Sequence, residues 1–224
     1  MSVTIVSICS EAYGGLAEWT VDRNKRLYCQ RWGYELVDVR VGVTSDRVAG
    51  YERMEIILGL MHGKSYGWKG PAAEDEWYWA MGVDTMITNF NRRLEEFVDP
   101  AFHFVIARDF NGLNADSYLV RNSPQGRCWL EFILSQRRAY EGTGFVEQGV
   151  MIDWHQREPF RGWIKVTAQS GPEGINAYEM RLYGGTEESE GQWRPGDFLV
   201  HWPGRGLEER LGLAAKYAEL VMGR

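Results

Sequence analysis

Short apolar runs and amphipathic stretches follow one another along the first third of the chain and predict alternating strands and helices. Residues 3–9, V-T-I-V-S-I-C, predict a first strand, and residues 18–32 predict a helix. Polar and apolar positions alternate over residues 34–41, which predicts a second strand, and residues 51–61 predict a second helix. This order is typical of an α/β protein with a largely parallel sheet.

The apolar run over residues 77–83, W-Y-W-A-M-G-V, predicts a fully buried strand, because a strand covered on both faces shows no alternation. Asp84 follows this run directly. Ligands bind at the carboxyl ends of strands in open α/β sheets, and a carboxylate placed there can hold a hard divalent cation that in turn holds a diphosphate. The alternative for Asp84 is a solvated side chain that ends the strand.

The second half of the chain mixes strands with longer loops. Its patterns predict strands over 102–108, 117–121, 164–168 and 197–201, and helices over 91–97, 126–138, 148–156 and 206–221. We therefore expect an α/β fold, one domain with a central mixed, mostly parallel sheet flanked by helices. Residues 1–90 are expected to form a nucleotide-binding half and residues 91–205 an acceptor-binding half, joined within that one sheet. Residues 206–224 are expected to form a terminal helix, and residues 184–195 a mobile loop.

Composition narrows the choice of partner. The chain has 224 residues, enough for one generous domain, and its formal net charge is −6 without any dense run of Lys or Arg. Nucleic acid is therefore an unlikely main partner, whereas a phosphorylated small molecule can still be bound by backbone amides and a metal. Ten tryptophans are unusual; most are expected in the core, and a few could serve as stacking platforms for sugars or bases.

The cysteines and the N-terminus bear on location. Three cysteines, Cys9, Cys29 and Cys128, give an odd count without metal-ligand spacing, which argues against a disulfide framework or a zinc site and favours a reducing compartment. The N-terminus lacks the features of a signal peptide, and no apolar run reaches the length of a membrane span. We expect a soluble, cytoplasmic protein.

Four segments together resemble a known family. They are V-D-T at 83–85, N-G-L-N-A-D-S-Y-L-V-R-N at 111–122, E-Q at 147–148 and G-D-F-L-V-H-W-P-G at 196–204. In order and type they resemble the nucleotide-sugar transferases of the GT-A fold, most closely glycosyltransferase family 34, which contains xyloglucan xylosyltransferases and fungal galactosyl- and mannosyltransferases. The resemblance covers residues 20–205, and N-A-Y at 176–178 echoes a further family motif.

The resemblance implies a metal site. Family members carry D-x-D at the end of the buried strand and a metal-binding histidine near the C-terminus, so Asp84 and His201 would hold Mn²⁺ (or Mg²⁺) with the donor diphosphate, an O/N ligand pair that suits Mn²⁺. The sequence departs from the pattern twice: Gly82 replaces the first Asp of D-x-D, and Asp116 stands where the family has Gly. Asp116 could restore the missing charge. The alternative for His201 is a hydrogen-bonded core residue.

The resemblance implies roles in the donor or acceptor site for the remaining candidates. Catalytic candidates are Gln148, its rival Glu147, and Asp116, because a side-chain oxygen beside the anomeric carbon stabilises developing positive charge. Donor-binding candidates are Cys9, Ser10, Tyr13, Arg53, Asp84 and Gly204. Acceptor- or sugar-binding candidates are Asp109, Asn111 and Asn114, since carboxylates and amides bind hydroxyl groups. For the two asparagines the alternative is a structural turn, and for Arg53 a solvated helix position.

The sequence thus predicts a glycosyltransferase that moves a sugar from a UDP- or GDP-linked donor to a hydroxyl group of a glycan or other acceptor, with retention of configuration and divalent-metal assistance. The alternative is a GT-A domain that binds nucleotide sugars or glycans but has lost turnover, as the substitution at Gly82 suggests. A non-sugar nucleotidyltransferase is a third reading, but no Gly-rich phosphate loop follows the first strand.

Overall fold

The computed structural model describes residues 2–40, 49–66, 73–179 and 191–222. Its main sheet has six strands in the spatial order β2-β1-β3-β6-β5-β7. These strands are β1 (Val3–Ile8), β2 (Glu35–Val39), β3 (Trp77–Met81), β5 (Phe104–Ala107), β6 (Asn114–Arg121) and β7 (Ile164–Thr167). The mixed, mostly parallel sheet predicted from the sequence is confirmed, because β6 alone runs against its two neighbours.

The antiparallel strand β6 pairs with β3 in the middle of this sheet. Met81 lies opposite Ser117 in the ladder, and the backbone N–H of Gly82 donates to the carbonyl of Asp116 at 2.8 Å. Because the two strands are antiparallel, the end of β3 meets the beginning of β6. The residues that follow β3 therefore lie beside the first residues of β6.

A second sheet of three strands, in the order β4-β9-β8, lies outside the main one. Its strands are β4 (Thr85–Ile87), β8 (Ala177–Tyr178) and β9 (Leu199–His201). The expectation that all strands share one sheet was therefore wrong: the chain turns sharply between β3 and β4, and β4 pairs with the strand that carries His201. One of its strands, β9, lies within the strand predicted at 197–201, whereas β4 and β8, of three and two residues, have too short a pattern to be predicted.

Helices pack on both faces of the main sheet. They are α1 (Gly14–Ala17), the π-helical segment Glu18–Lys25, α2 (Arg26–Trp32), α3 (Ala49–Met61), α4 (Pro124–Ser135), α5 (Arg137–Tyr140), α6 (Val146–Trp154) and α7 (Leu207–Met222), with short 3₁₀ turns at Glu11–Tyr13, Leu94–Phe97 and Phe160–Gly162. The predicted helix at 18–32 is confirmed, and Gly33 ends it with φ of +74°.

Two apolar clusters form most of the core, one on each face of the sheet. Helix α4 contributes Trp129 and Ile133 to one of them, and Phe132 packs against it. Its N-terminus is capped by Ser123, whose hydroxyl accepts from the N–H of Gly126 at 3.1 Å. A β-carbon on Gly126 would lie 2.1 Å from the carbonyl oxygen of Arg121, so this helix approaches β6 at a glycine.

Several predicted details differ in the structure. In the last helix Tyr217 and Ala218 are buried, whereas Leu220 is 41% exposed. The predicted helix at 91–97 is only the 3₁₀ turn at its end, and β6 begins three residues before the predicted strand. Most of the loop predicted at 184–195, and the last residue of the strand predicted at 34–41, lie outside the described residues. Among the described helices, none combines the length and apolar character needed to cross a bilayer.

Candidate active site

A cleft of about 330 Å³ opens at the carboxyl ends of β1 and β3. Its walls come from the loop after β1, the beginning of α3, the turn after β3, the beginning of β6, the beginning of α6 and helix α7. The lining residues are Ile8, Cys9, Ser10, Tyr13, Ala49, Gly50, Arg53, Gly82, Val83, Asp84, Asp116, Gly144, Phe145, Val146, Glu147, Gln148 and Arg210. The cleft therefore lies at the sheet edge where α/β proteins bind ligands.

Three potential metal ligands meet at the base of this cleft. One side-chain ligand atom from each of Asp84, Asp116 and His201 lies within 4.8 Å of the other two. Nε2 of His201 is 3.5 Å from one oxygen of Asp84 and 3.5 Å from one oxygen of Asp116. Asp84 and His201 are buried, whereas Asp116 faces the cleft. Two carboxylates and an imidazole form a mixed O/N ligand set of the kind that first-row divalent cations accept.

A chain of buried hydrogen bonds fixes the imidazole of His201. The amide nitrogen of Asn176 donates to Oδ1 of Asn114 at 2.6 Å, which leaves the Asn176 oxygen to accept from Nδ1 of His201 at 2.9 Å. Nε2 is left facing the two carboxylates, and among the described residues it has no hydrogen-bond partner. Nε2 of His201 is thus a buried nitrogen, without a partner in the described part of the chain, that points between two carboxylates. This geometry fits a metal ligand whose tautomer is set by the hydrogen bond of its other ring nitrogen.

The same network continues to the loop after β5. Asn114 donates to the hydroxyl of Tyr178 at 2.7 Å, and that hydroxyl donates to Oδ2 of Asp109 at 2.6 Å. Asp109 and Asn114 are both buried. These contacts place the two residues behind His201 and away from the cleft wall, where they support the histidine.

Hydrogen bonds from the π-helical segment fix the turn between β3 and β4. Nζ of Lys25 donates to the carbonyls of Gly82 (3.0 Å) and Thr85 (2.7 Å), and the hydroxyl of Thr20 donates to the carbonyl of Val83 at 2.6 Å. Lys25 is fully buried, and this burial lowers its pKa from 10.5 to about 7. Both donors come from the π-helical segment, so this irregular helix fixes the backbone that presents the carboxylate after β3.

Gly82 leaves room for the carboxylate of Asp84 and lies beside that of Asp116 on the neighbouring strand. A β-carbon at Gly82 would lie 2.8 Å from Oδ1 of Asp84, 3.4 Å from Oδ1 of Asp116 and 3.5 Å from its Cβ. The Asp116 side chain thus lies on the same side of the sheet as a side chain at position 82 would. Asp116 of β6 therefore places a carboxylate beside the position at which Gly82 has no side chain.

Two arginines add positive charge to this acidic cleft. Arg210 of α7 forms an ion pair with Asp84 at 2.8 Å, and Arg53 of α3 is buried, donates to the carbonyl of Ala115 at 2.8 Å and lies 3.5 Å from Asp116. Burial opposes ionisation of Asp84, but His201 and Arg210 outweigh it and hold the pKa of this carboxyl well below its usual range. Asp84 is therefore ionised at neutral pH.

The opposite wall of the cleft carries Glu147 and Gln148 at the beginning of α6. The oxygen of Gln148 accepts from the N–H of Ala115 at 3.2 Å, which ties α6 to β6. Glu147 packs against Gly50, where any β-carbon would lie 1.9 Å from its carboxylate. Burial raises the pKa of Glu147 to about 7, since Arg53 offsets only part of the desolvation cost and Asp116 adds to it.

The structure brings most of the predicted site residues together. In or beside the cleft are Cys9, Ser10, Tyr13, Arg53, Asp84, Asp116, Glu147, Gln148 and His201. Four candidates do not line it. Asp109 and Asn114 lie in the network described above, and Asn111 is exposed in a turn where its N–H donates to Asp109 at 2.7 Å. Gly204 is exposed, with φ of +68°, in the loop before α7.

Two residues of the site were not identified from the sequence. Arg210 lies in an ordinary amphipathic helix, and its neighbours form no motif. Lys25 sits among charged residues in a segment that was predicted only as a helix. Neither contact is encoded locally, because each joins residues more than 50 positions apart.

Solved structures of similar fold identify the architecture. A glycosyltransferase involved in the glycosylation of the major capsid of PBCV-1 superposes with a TM-score of 0.74 and 18% identity over 96% of this chain and 100% of that one. The chain has the GT-A glycosyltransferase fold. The galactosyltransferase LgtC, solved with donor and acceptor sugar analogues, superposes on this GT-A chain with a TM-score of 0.54 and 11% identity over 95% of each chain.

Sequence relatives of this GT-A chain are α-1,2-galactosyltransferases of Schizosaccharomyces pombe. An uncharacterised member is 26% identical over 83% of this chain and 55% of its own length, and a second is 23% identical over 92% and 61%. The resemblance stated from the motifs is thereby confirmed. The chain spans between about half and two thirds of the length of these relatives, and no family profile matches it.

Proposed function

We propose that the protein is a glycosyltransferase that transfers a hexose from a UDP- or GDP-linked donor to a hydroxyl group of a glycan or another acceptor. The observation that carries this proposal is the cluster of Asp84, Asp116 and His201 at the base of the cleft. In a GT-A fold, at the carboxyl edge of the sheet, such a cluster is suited to a divalent cation and a diphosphate. The galactosyltransferase relatives support a hexose donor.

Charge in the cleft suits a donor diphosphate. A divalent cation such as Mn²⁺, held by the two aspartates and the histidine, would supply positive charge to the leaving diphosphate. Arg210 and Arg53 lie on either side of this cluster, each already beside one of its carboxylates. Guanidinium groups bind phosphate oxygens in a fixed fork geometry. We therefore assign to the two arginines the orientation and charge stabilisation of the diphosphate.

In this proposal the nucleotide and the sugar of the donor lie at opposite ends of the cleft. The loop after β1, with Cys9, Ser10 and Tyr13, takes the nucleotide, and the beginning of α6 faces the sugar. Glu147 and Gln148 present oxygen atoms there, which stabilise positive charge as the bond from the anomeric carbon to the diphosphate breaks. The departing phosphate oxygen accepts the proton of the acceptor hydroxyl on the same face, so that configuration is retained and no strong protein base is required.

A donor screen tests the proposal. The purified protein is incubated with UDP- and GDP-sugars and Mn²⁺, release of free nucleotide is measured, and EDTA serves as the metal control. We expect EDTA-sensitive release from one donor, reduced by at least about 100-fold in Asp84→Asn, Asp116→Asn and His201→Ala. Asp99→Asn is the matched control, because this carboxylate pairs with Lys165 outside the cleft and its loss leaves release unchanged.

The substitution at Gly82 motivates a second candidate, a nucleotide-sugar or glycan binding module without turnover. Tight binding of a nucleotide sugar with no release, in the presence of a panel of glycoside acceptors, would favour this module over the enzyme. Absence of both binding and release for every donor would overturn both functions.

A further inference from the structure

One large aromatic side chain is exposed on the wall of the cleft. Phe145 is 47% exposed, although it belongs to the residues that line the cleft beside Glu147. None of the tryptophans in the described ranges lines the cleft. An exposed phenylalanine that lines a polar cleft is an apolar surface available to a ligand.

The backbone next to Phe145 is strained. Val146 has φ of +45°, a left-handed conformation that is an outlier for a β-branched residue. Strain of this kind persists only where surrounding structure enforces it, and it is concentrated at functional sites. Here it lies at the beginning of α6, where Val146 also packs against the core and where Phe145, Val146 and Glu147 all line the cleft.

Neighbouring contacts enforce this conformation. The hydroxyl of Thr143 accepts from the N–H of Val146 at 3.1 Å, and the N–H of Gly149 donates to the carbonyl of Phe145 at 3.1 Å. Gly149 has no room for a side chain, since a β-carbon would lie 3.0 Å from the ring of Tyr140 and 3.6 Å from Cβ of Phe145. The turn that carries Phe145 is therefore fixed on both sides.

The groups around Phe145 match the surface of a sugar. A pyranose ring has hydroxyl groups at its edge and an apolar face of CH groups, and an aromatic ring packs well against such a face. Glu147, Gln148 and Asp116 line the same cleft and can bind hydroxyl groups. An apolar surface with a few convergent polar groups is the usual composition of a small-molecule site.

We propose that Phe145 is a specificity-determining platform that packs against the apolar face of a pyranose ring at the sugar end of the cleft. The inference rests on the proposed function and deepens it. The ring belongs either to the donor sugar or to the acceptor sugar. The strained turn at Val146 acts as a positioning element that holds the aromatic ring over this end of the cleft.

The test separates these two sources. For the donor, the affinities of UDP-galactose and of UDP are measured by calorimetry with Mn²⁺, and their ratio gives the contribution of the sugar. For the acceptor, KM is measured for methyl α-D-mannopyranoside and methyl β-D-galactopyranoside at saturating UDP-galactose. Phe145→Ala is expected to reduce the sugar contribution, or to raise the acceptor KM, by about 5- to 10-fold. Phe145→Tyr, which keeps the flat ring, restores the wild-type value.

Phe110→Ala is the matched control, because Phe110 is 55% exposed but does not line the cleft. Affinity for UDP and for Mn²⁺ is expected to remain unchanged in all three variants, which verifies that the site is folded. If Phe145→Ala changes neither measurement by more than Phe110→Ala does, the platform is disproved while the glycosyltransferase stands. If the wild-type protein neither binds nor turns over a nucleotide sugar, the proposed function fails first.

Discussion

His201 depends for its chemistry on residues that lie behind it. Its strand is short and apolar, and from the sequence a core histidine was a fair alternative. The structure shows that Asn176 fixes Nδ1 and that Nε2 is left without a partner among the described residues, facing Asp84 and Asp116. The proximity of Asp84 and His201 could be predicted because both lie in motifs of a family with a known order. From the sequence, Asn176 was noted only as part of the N-A-Y segment that resembles a family motif. Its hydrogen bond to His201 could not be predicted.

Removal of the hydrogen bond behind His201 is expected to weaken the metal site. Asn176→Ala frees the imidazole to rotate and to change tautomer, so we expect the affinity for Mn²⁺ to fall by about 10- to 100-fold. The measurement is a titration followed by electron paramagnetic resonance of free Mn²⁺. Asn91→Ala, at an exposed asparagine bonded to Arg31, is the control. Equal Mn²⁺ affinity in the two variants would contradict the support role.

The raised pKa of Glu147 predicts how the rate of nucleotide release depends on pH. With a pKa of about 7 the carboxyl is mainly neutral below pH 7 and mainly charged above it. Only the charged form stabilises positive charge on the sugar, so the rate of nucleotide release at saturating Mn²⁺ is expected to rise with pH and to level off above about pH 8.

The matched variant is Glu147→Gln, which cannot ionise. It is expected to lose the step near pH 7 and to have the low rate of the protonated wild-type protein throughout. A pH–rate profile is the measurement. Should the variant keep the step, another group titrates there, and Gln148 would be the better candidate for the catalytic oxygen.

At the scale of elements, the longer helices and strands could be predicted from the sequence, because their apolar patterns extend over several helical turns or over a whole buried strand. The second sheet as a unit could not be predicted: β9 lies within the strand predicted at 197–201, but its partners β4 and β8 are only three and two residues long. The π-helical segment was predicted simply as helix, and nothing in its pattern revealed that Thr20 and Lys25 support the turn that carries Asp84. Irregular backbone is encoded by distant contacts, which a local pattern does not contain.

Two glycines in helices are expected to respond to alanine in opposite ways. Gly126→Ala places a β-carbon against the carbonyl of Arg121, and such overpacking costs about 1–3 kcal/mol. Gly212→Ala, in α7, places its β-carbon where no atom lies within 4 Å. It is expected to stabilise the protein by about 0.5–1 kcal/mol because alanine favours the helix.

The free energy of unfolding in urea, measured for both variants and the wild-type protein, checks this pair. The two variants share the same chemical change in a helix, so helix propensity alone predicts the same sign for both. A stabilising effect of Gly126→Ala would show that α4 can move away from β6.

At the scale of the whole molecule, the site joins parts of the chain that are far apart in sequence. Its groups come from the turn after β3, from β6, from the second sheet and from α3, α6 and α7. The sequence predicted the fold class and the edge of the sheet at which the cleft lies. It did not predict that the last helix closes the site with Arg210, because a packing contact between distant elements depends on the complete fold.

Metal binding is therefore expected to stabilise the whole domain. A ligand at about 100 times its dissociation constant adds about 2.7 kcal/mol to the free energy of unfolding, which for a chain of this size raises Tm by about 5–10 °C. Thermal unfolding with Mn²⁺ and with EDTA is the measurement. The shift is expected to vanish in Asp84→Asn and to persist in Asp99→Asn. An identical shift in both variants would place the bound cation elsewhere.

The pairing of Gly82 with Asp116 has a consequence for the ancestry of such sites. Because the two positions face each other across an antiparallel ladder, two substitutions suffice to move an acidic group from one strand to its neighbour while the backbone stays as it is. Descendants of a common ancestor can therefore differ in the motif and still agree in the arrangement of charges in space. A search that requires two acids on one strand would pass over chains of this type, whereas a search for covariation between the two positions would find them.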